Sequence, residues 1–120
     1  MGTTSDPVLV ASRYRGTAEL LAALLAPLGA VTVVGVDADG VDALDDAVRA
    51  ARGVVVVTAA PGDPTLAAVR AAIDPGRVVV VTWHPADERP SLPDGVPVLE
   101  PDTIRARLLA VVTDLRGARG

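Results

Sequence analysis

Two runs of four valines, Val54–Val57 and Val78–Val81, constrain this chain more than any other feature. Successive side chains of a strand point to opposite sides, so a strand with one solvated face alternates apolar and polar residues. A strand that is valine at every position must be covered on both faces, which is the situation inside a parallel sheet. Val8–Ala11, Val31–Val36 and Val96–Leu99 are further apolar, β-branched runs. With the valine runs continued to Thr58 and Thr82, the reading is five strands.

Helical periods separate them. Leu20, Leu21, Leu24, Leu25 and Leu28 form one stripe, opened at Gly16–Thr17 and closed by Pro27 and Gly29. Val41, Leu44, Val48 and Ala51 form a second, with Asp39 placed as its N-cap. Leu66, Val69 and Ile73 form a third behind Asp63–Pro64, where proline suits the first helical position because its missing N–H has no partner there. Ile104, Leu108, Val111, Val112 and Leu115 form the last, from Pro101–Asp102 to Gly117. Residues 85–97 hold four prolines and no helical period, so a loop is expected where a fourth helix would lie.

Strands alternating with helices imply right-handed crossovers and an α/β fold, a three-layer doubly wound parallel sheet with order 2-1-3-4-5. The valine units also echo one another. Val-Val-Val-Val-Thr-Ala-Ala-Pro-Gly-Asp from position 54 resembles Val-Val-Val-Val-Thr-Trp-His-Pro-Ala-Asp from position 78, which places Thr58 and Thr82 side by side at the carboxyl edge. Residues 1–6 and 118–120 are expected to be disordered tails around a single domain of residues 7–117.

Composition closes several routes. The chain has one Trp, one Tyr and no Phe, so its core is aliphatic. It has no cysteine, which removes disulfides and thiolate metal sites. All 11 basic residues are arginine, which removes Schiff-base chemistry and a P-loop lysine. A net charge of −4 argues against nucleic acid, whose binding rests on phosphate neutralisation. No run approaches the roughly 18 apolar residues of a membrane span. Met1–Asp6 has neither the basic nor the apolar region of a signal peptide, and a cytoplasmic location is expected.

Ligands of open α/β sheets bind beyond the carboxyl ends of the strands. That rule gathers Ser12, Arg13, Tyr14, Arg15, Gly16 and Thr17 with Thr58, Thr82, Trp83 and His84. Hydroxyls, two guanidinium groups and a helix N-terminus suit an anion, so Ser12, Arg13, Arg15, Gly16, Thr17, Thr58 and Thr82 are the candidate ligand residues. A helix cap flanked by solvated arginines is the simpler alternative. His84 is the only histidine and lacks partners for a metal site or a triad, which makes it a turn residue. Trp83 is either a plug at the core edge or a partner anchor. Asp37, Asp39, Asp42, Asp45 and Asp46 read as helix-start charges on a solvated face.

The opening strand followed by a Leu-rich helix ending Ala26-Pro27-Leu28-Gly29, Pro61-Gly62 after the third strand, Thr82 after the fourth, and Val98-Leu99-Glu100-Pro101-Asp102 before the last helix resemble the receiver domains of bacterial response regulators. The resemblance implies an acidic pair after the first strand, a phosphoacceptor aspartate ending the third, a threonine or serine after the fourth and a lysine before proline at the fifth. Of these only Thr82 and Pro101 match. Ala11–Ser12 replaces the acidic pair, Val57 or Thr58 the acceptor, and Glu100 the lysine. Phosphoryl transfer then lacks its nucleophile and metal ligands. The expectation is a phosphorylation-incompetent, non-catalytic module with no cofactor that contacts another protein or a second copy, with Trp83, His84 and Leu92 at the interface. Ser12–Glu19 is also similar to the phosphate loop of flavodoxins, which implies an FMN or small-anion binder. A small subunit of an enzyme complex is a further alternative.

Overall fold

The computed structural model describes residues 7–60, 64–83 and 96–119. In chain order the elements are β1 (Val8–Ser12), α1 (Arg15–Leu24), β2 (Val31–Gly35), α2 (Val36–Asp39), α3 (Val41–Ala50), β3 (Val55–Thr58), α4 (Pro64–Ala72), β4 (Val78–Val81), β5 (Val98–Leu99) and α5 (Pro101–Arg119). The five strands are all parallel, in the order β2-β1-β3-β4-β5. This is the flavodoxin-like topology, a parallel sheet in which the two valine runs occupy inner strands.

The pleat divides the valines cleanly. Val8, Val10, Val54, Val56, Val79 and Val81 pack under α1 and α5, against Leu21, Leu25, Ile104, Leu108 and Val112. Leu9, Ala11, Val55, Val57, Val78 and Val80 pack under α3 and α4, against Leu44, Val48, Leu66 and Val69. Each fully buried valine stabilises the fold by about 1.5–3 kcal/mol relative to exposure. Val78–Val81 are all buried, so β4 is covered on both faces. Residues 84–95, including His84, Leu92 and most of the proline-rich loop, lie outside the described residues, as do the 1–6 tail and Pro61–Asp63.

Four expectations change in detail. The first helix stops at Leu24, and Ala26–Leu28 forms a separate 3-10 turn whose end is set by Gly29 at φ 92°. A short helix, α2, precedes α3, and Gly40 at φ 89° sits between them. Asp39 therefore ends α2 rather than capping α3. The last helix runs through Gly117 to Arg119, because a glycine inside a helix costs only about 1 kcal/mol and does not stop it. Val55 pairs with Val78, so Thr58 faces Val81 and not Thr82. Thr82 falls one step further along, opposite Ala59, where the pleat turns residues to the other face.

Candidate functional site

The strand order reverses at β1, and the loops that follow β1 and β3 flank the crevice where such sheets bind ligands. Ser12 ends β1 and Thr58 ends β3. Both are buried, at 1% and 5% exposure, and the Thr58 hydroxyl donates to Ser12 Oγ at 2.9 Å. Ser12 Oγ also accepts the Tyr14 backbone N–H at 3.2 Å. The hydroxyls thus bind each other and the turn backbone. At the end of β3 the chain thus has a buried threonine whose hydroxyl is already bonded to its neighbour.

The first loop is closed by the chain's own carboxylates. Tyr14 is the N-cap of α1 and has no side-chain cap, so the helix starts with unpartnered N–H groups. Asp37, in α2, fills that role: its Oδ1 accepts the Arg15 N–H at 2.8 Å, while its own N–H donates to the Arg13 carbonyl at 2.9 Å. Arg15 Nη1 donates to both carboxylate oxygens of Asp39 at 2.8 Å, and its Nε donates to Glu19 at 2.9 Å. The hydrogen bond to Glu19 and the charge of Asp39 raise the Arg15 pKa further above its ordinary value. Asp39 Oδ2 also accepts the Gly35 N–H at 2.9 Å. The segment Gly35–Asp39 therefore wraps the start of α1.

Gly35 is what permits this close approach. A Cβ at position 35 would overlap the Cα, Cβ and N of Arg15. Any other residue would lift the β2–α2 turn off α1.

Of the candidate anion ligands, Arg15 and the first N–H of α1 are thus engaged by Asp39, Glu19 and Asp37. Arg13 is exposed, with its guanidinium 5.6 Å from the centre of the Tyr14 ring. Gly16 has open space around it, and Thr17 is half-buried on the first turn of α1. Thr82 is buried, and its N–H donates to the Leu99 carbonyl. The structure joins Ser12 to Thr58 by a hydrogen bond, while Thr82 lies one step beyond Val81, the partner of Thr58 across the sheet. Just before α5, the Glu100 N–H donates to Thr103 Oγ1 at 3.1 Å, within the cap of that helix. Among the described residues no group of three His, Cys, Asp or Glu could hold a metal ion.

The apolar surface lies elsewhere. Trp83, just beyond β4, is 45% exposed, and Leu20 on α1 is 57% exposed. They line a groove of about 330 Å³ with Leu21, Leu24, Ile104 and Arg105, between α1 and α5. Its lining is mostly apolar. Sequence reasoning singled out Trp83 but assigned Leu20 to the core stripe. The available signal was the width of the stripe, since adjacent leucines at 20 and 21 stand about 100° apart on a helix and only one can point straight at the sheet. The clamp by Asp37 and Asp39 was also missed, and nothing local to those residues signals it. No described helix is long and apolar enough to cross a membrane. Neither family models, nor curated proteins, nor solved structures give a match to this chain.

Proposed function

We propose that this chain is a non-catalytic, phosphorylation-incompetent receiver-like module that acts by protein–protein contact through the surface around Trp83. The observation that carries this reading is the pairing of an exposed Trp83 and an exposed Leu20 on one apolar groove. Large aromatic side chains dominate the energetics of protein contacts, and here one stands exposed beside an exposed leucine. The carboxyl edge supports the same reading from the other side. Its two central hydroxyls are buried and bonded to each other, and Arg15 is held by two carboxylates. Chemistry at that edge would first have to break these contacts.

The experiment is to compare wild type with Trp83→Ala and Leu20→Asp in the cells the chain comes from. The mass of the native assembly and its associated chains are measured after gentle purification. The reading expects a complex in wild type that both variants lose while keeping wild-type circular dichroism. Folded variants with unchanged assembly would overturn it.

A further inference from the structure

The sheet ends at β2, and the register shows which backbone groups of that strand look outward. Val8 N–H donates to the Ala30 carbonyl and Leu9 N–H to the Val54 carbonyl, so even-numbered residues of β1 bond to β2 and odd-numbered ones to β3. On β2 it is then Thr32 and Val34 that bond to β1, while the N–H and C=O groups of Val31, Val33 and Gly35 point away from the sheet. Asp39 accepts the Gly35 N–H at 2.9 Å, which agrees with that direction and closes one end of the edge. Val31 and Val33 keep two outward donors and two outward acceptors that meet no partner among the described residues.

Edge strands are commonly blunted by charge, proline or a bulge. Val31-Thr32-Val33 has none of these: it is uncharged, lacks proline, and lies in a strand that pairs with β1 residue for residue. Thr32 is exposed in mid-strand between two half-buried valines. The side chains of the α3 side next to it are Ala47, Ala50 and Ala51, with Arg52 just past the helix, and they leave a hollow of about 130 Å³.

This edge is self-complementary about Thr32. In an antiparallel ladder, pairs that exchange both N–H···O bonds alternate with pairs that exchange none. A twofold axis at Thr32 sets Val31 opposite Val33 of a second copy, and Val33 opposite its Val31. Every outward donor and acceptor of both edges is then used. The two Thr32 side chains stand face to face, a favourable cross-strand pair.

Spacing and charge fit the same arrangement. α3 packs over both β2 and β1, so it stands in from the edge by about half the strand spacing of ~4.8 Å. The α3 helices of the two copies then lie about 10 Å apart, the distance of packed helices, with alanine at 47 and 50 on the approaching sides. They run antiparallel. Asp42, Asp45 and Asp46 occupy the earlier part of α3, and Arg49 and Arg52 lie at its end and just beyond, so each acidic part meets an arginine end. Asp46, next to Ala47, also pairs with Arg49 of its own helix at 3.6 Å. The strand edge alone would accept any extended segment; the matched α3 helices select a second copy.

We propose that this chain forms a twofold dimer through β2, joining two five-stranded sheets into one about an axis at Thr32. The dimer is independent of the contact reading above, because Trp83 follows β4, three strands away from β2.

The chain has no cysteine, so one introduced thiol reports on one position. Across the axis, the Thr32 pair has Cα atoms about 4.5 Å apart, within disulfide reach. Val33 and its own copy are offset along the strands by two residues, beyond the ~7 Å limit. Thr32→Cys, Val33→Cys and Thr113→Cys are oxidised mildly side by side, the last reporting random collision from an exposed position on α5. The expected result is a disulfide-linked dimer in Thr32→Cys at least about tenfold faster than in the other two. Light scattering at about 0.1 mM should give twice the chain mass for wild type. Thr32→Lys, which sets two ammonium groups face to face, should give the single-chain mass with unchanged circular dichroism. A single-chain mass for wild type, or equal crosslinking at all three positions, overturns the proposal. A dimer that survives Thr32→Lys and is lost in Trp83→Ala places the second copy at the Trp83 surface; it overturns the β2 dimer and leaves the contact reading standing. A single-chain mass together with slow exchange of the Val31 and Val33 amides identifies the chain's own residues as the cover of the edge, and overturns the proposal as well.

Discussion

Replacing Gly35 by alanine isolates the contact that shapes the first loop. Gly35 has φ −126° and ψ 125°, an extended conformation that alanine adopts freely. Backbone preference alone would therefore make Gly35→Ala mildly stabilising, because alanine has less freedom to lose on folding. The surroundings reverse the sign. The new methyl would overlap the backbone of Arg15, and no flexible side chain can yield in its place. Either α1 or the β2–α2 turn has to shift, and the contacts of Asp37 and Asp39 shift with it. Overpacking of this kind costs about 1–3 kcal/mol, and the upper half applies where backbone meets backbone. For a domain of this size the loss is about 6–15 °C in Tm. Gly16 is the matched control. It lies one residue after Arg15, its φ is not positive, and a Cβ there meets nothing within 4 Å. Gly16→Ala should raise stability by about 0.5 kcal/mol. Thermal unfolding by circular dichroism, with urea titrations as a second measure, reads both variants. Equal stability of the two would refute the close approach of the β2–α2 turn to α1.

Four further outcomes follow from the same geometry. Asp37→Ala removes the acceptor for the first N–H of α1 and should cost about 1 kcal/mol, read as a lower urea midpoint with unchanged slope; an unchanged midpoint would mean that water serves the helix end as well. Thr58→Val should cost about 1 kcal/mol, since it removes one of the two hydrogen bonds to buried Ser12 Oγ and leaves the Tyr14 N–H alone; a neutral result would show that the hydroxyl pair contributes nothing. Acetyl phosphate with Mg²⁺ should leave the mass of the protein unchanged, and a hydroxylamine-labile phosphoryl adduct would contradict the phosphorylation-incompetent reading. Sulfate should give no saturable rise in Tm, because an incoming anion must displace Asp37 and Asp39; a saturable rise abolished in the Arg13→Ala, Arg15→Ala double variant would restore the first loop as an anion site.

The sheet was legible because its signal is local. Valine at every position of 54–57 and 78–81 requires cover on both faces, and the observed division of odd and even valines between the two helical layers is that requirement met. Pro64 at the start of α4 was legible for the same reason, being a property of one residue and its own missing N–H. The roles of Asp37 and Asp39 were not. Both lie more than 20 residues from Arg15, and their carboxylates reach it only because β2 pairs beside β1 and Gly35 lets the turn close in. An aspartate two positions before a helical period has the local signature of a cap, and a tertiary ion pair outweighed it. The sequence echo between the two valine units failed for a related reason. Strand register is set by packing across the sheet, and a one-residue slip was enough to part Thr58 from Thr82. Leu20 shows the converse: its leucine stripe pointed to the core, while its position on the shoulder of α1 leaves it in the groove.

Amide hydrogen exchange tests the central claim most directly. The protein is isolated from its own cells with its partner still bound, and exchange is compared with that of the same protein freed from the partner. The account predicts added protection concentrated on α1 around Leu20–Leu24, at Thr82 and Trp83, and in the first turns of α5 around Ile104 and Arg105. Protection that appears instead at Arg13–Thr17 and at Ala59, with α1 and α5 unchanged, would place the working site in the crevice at the carboxyl edge and contradict it.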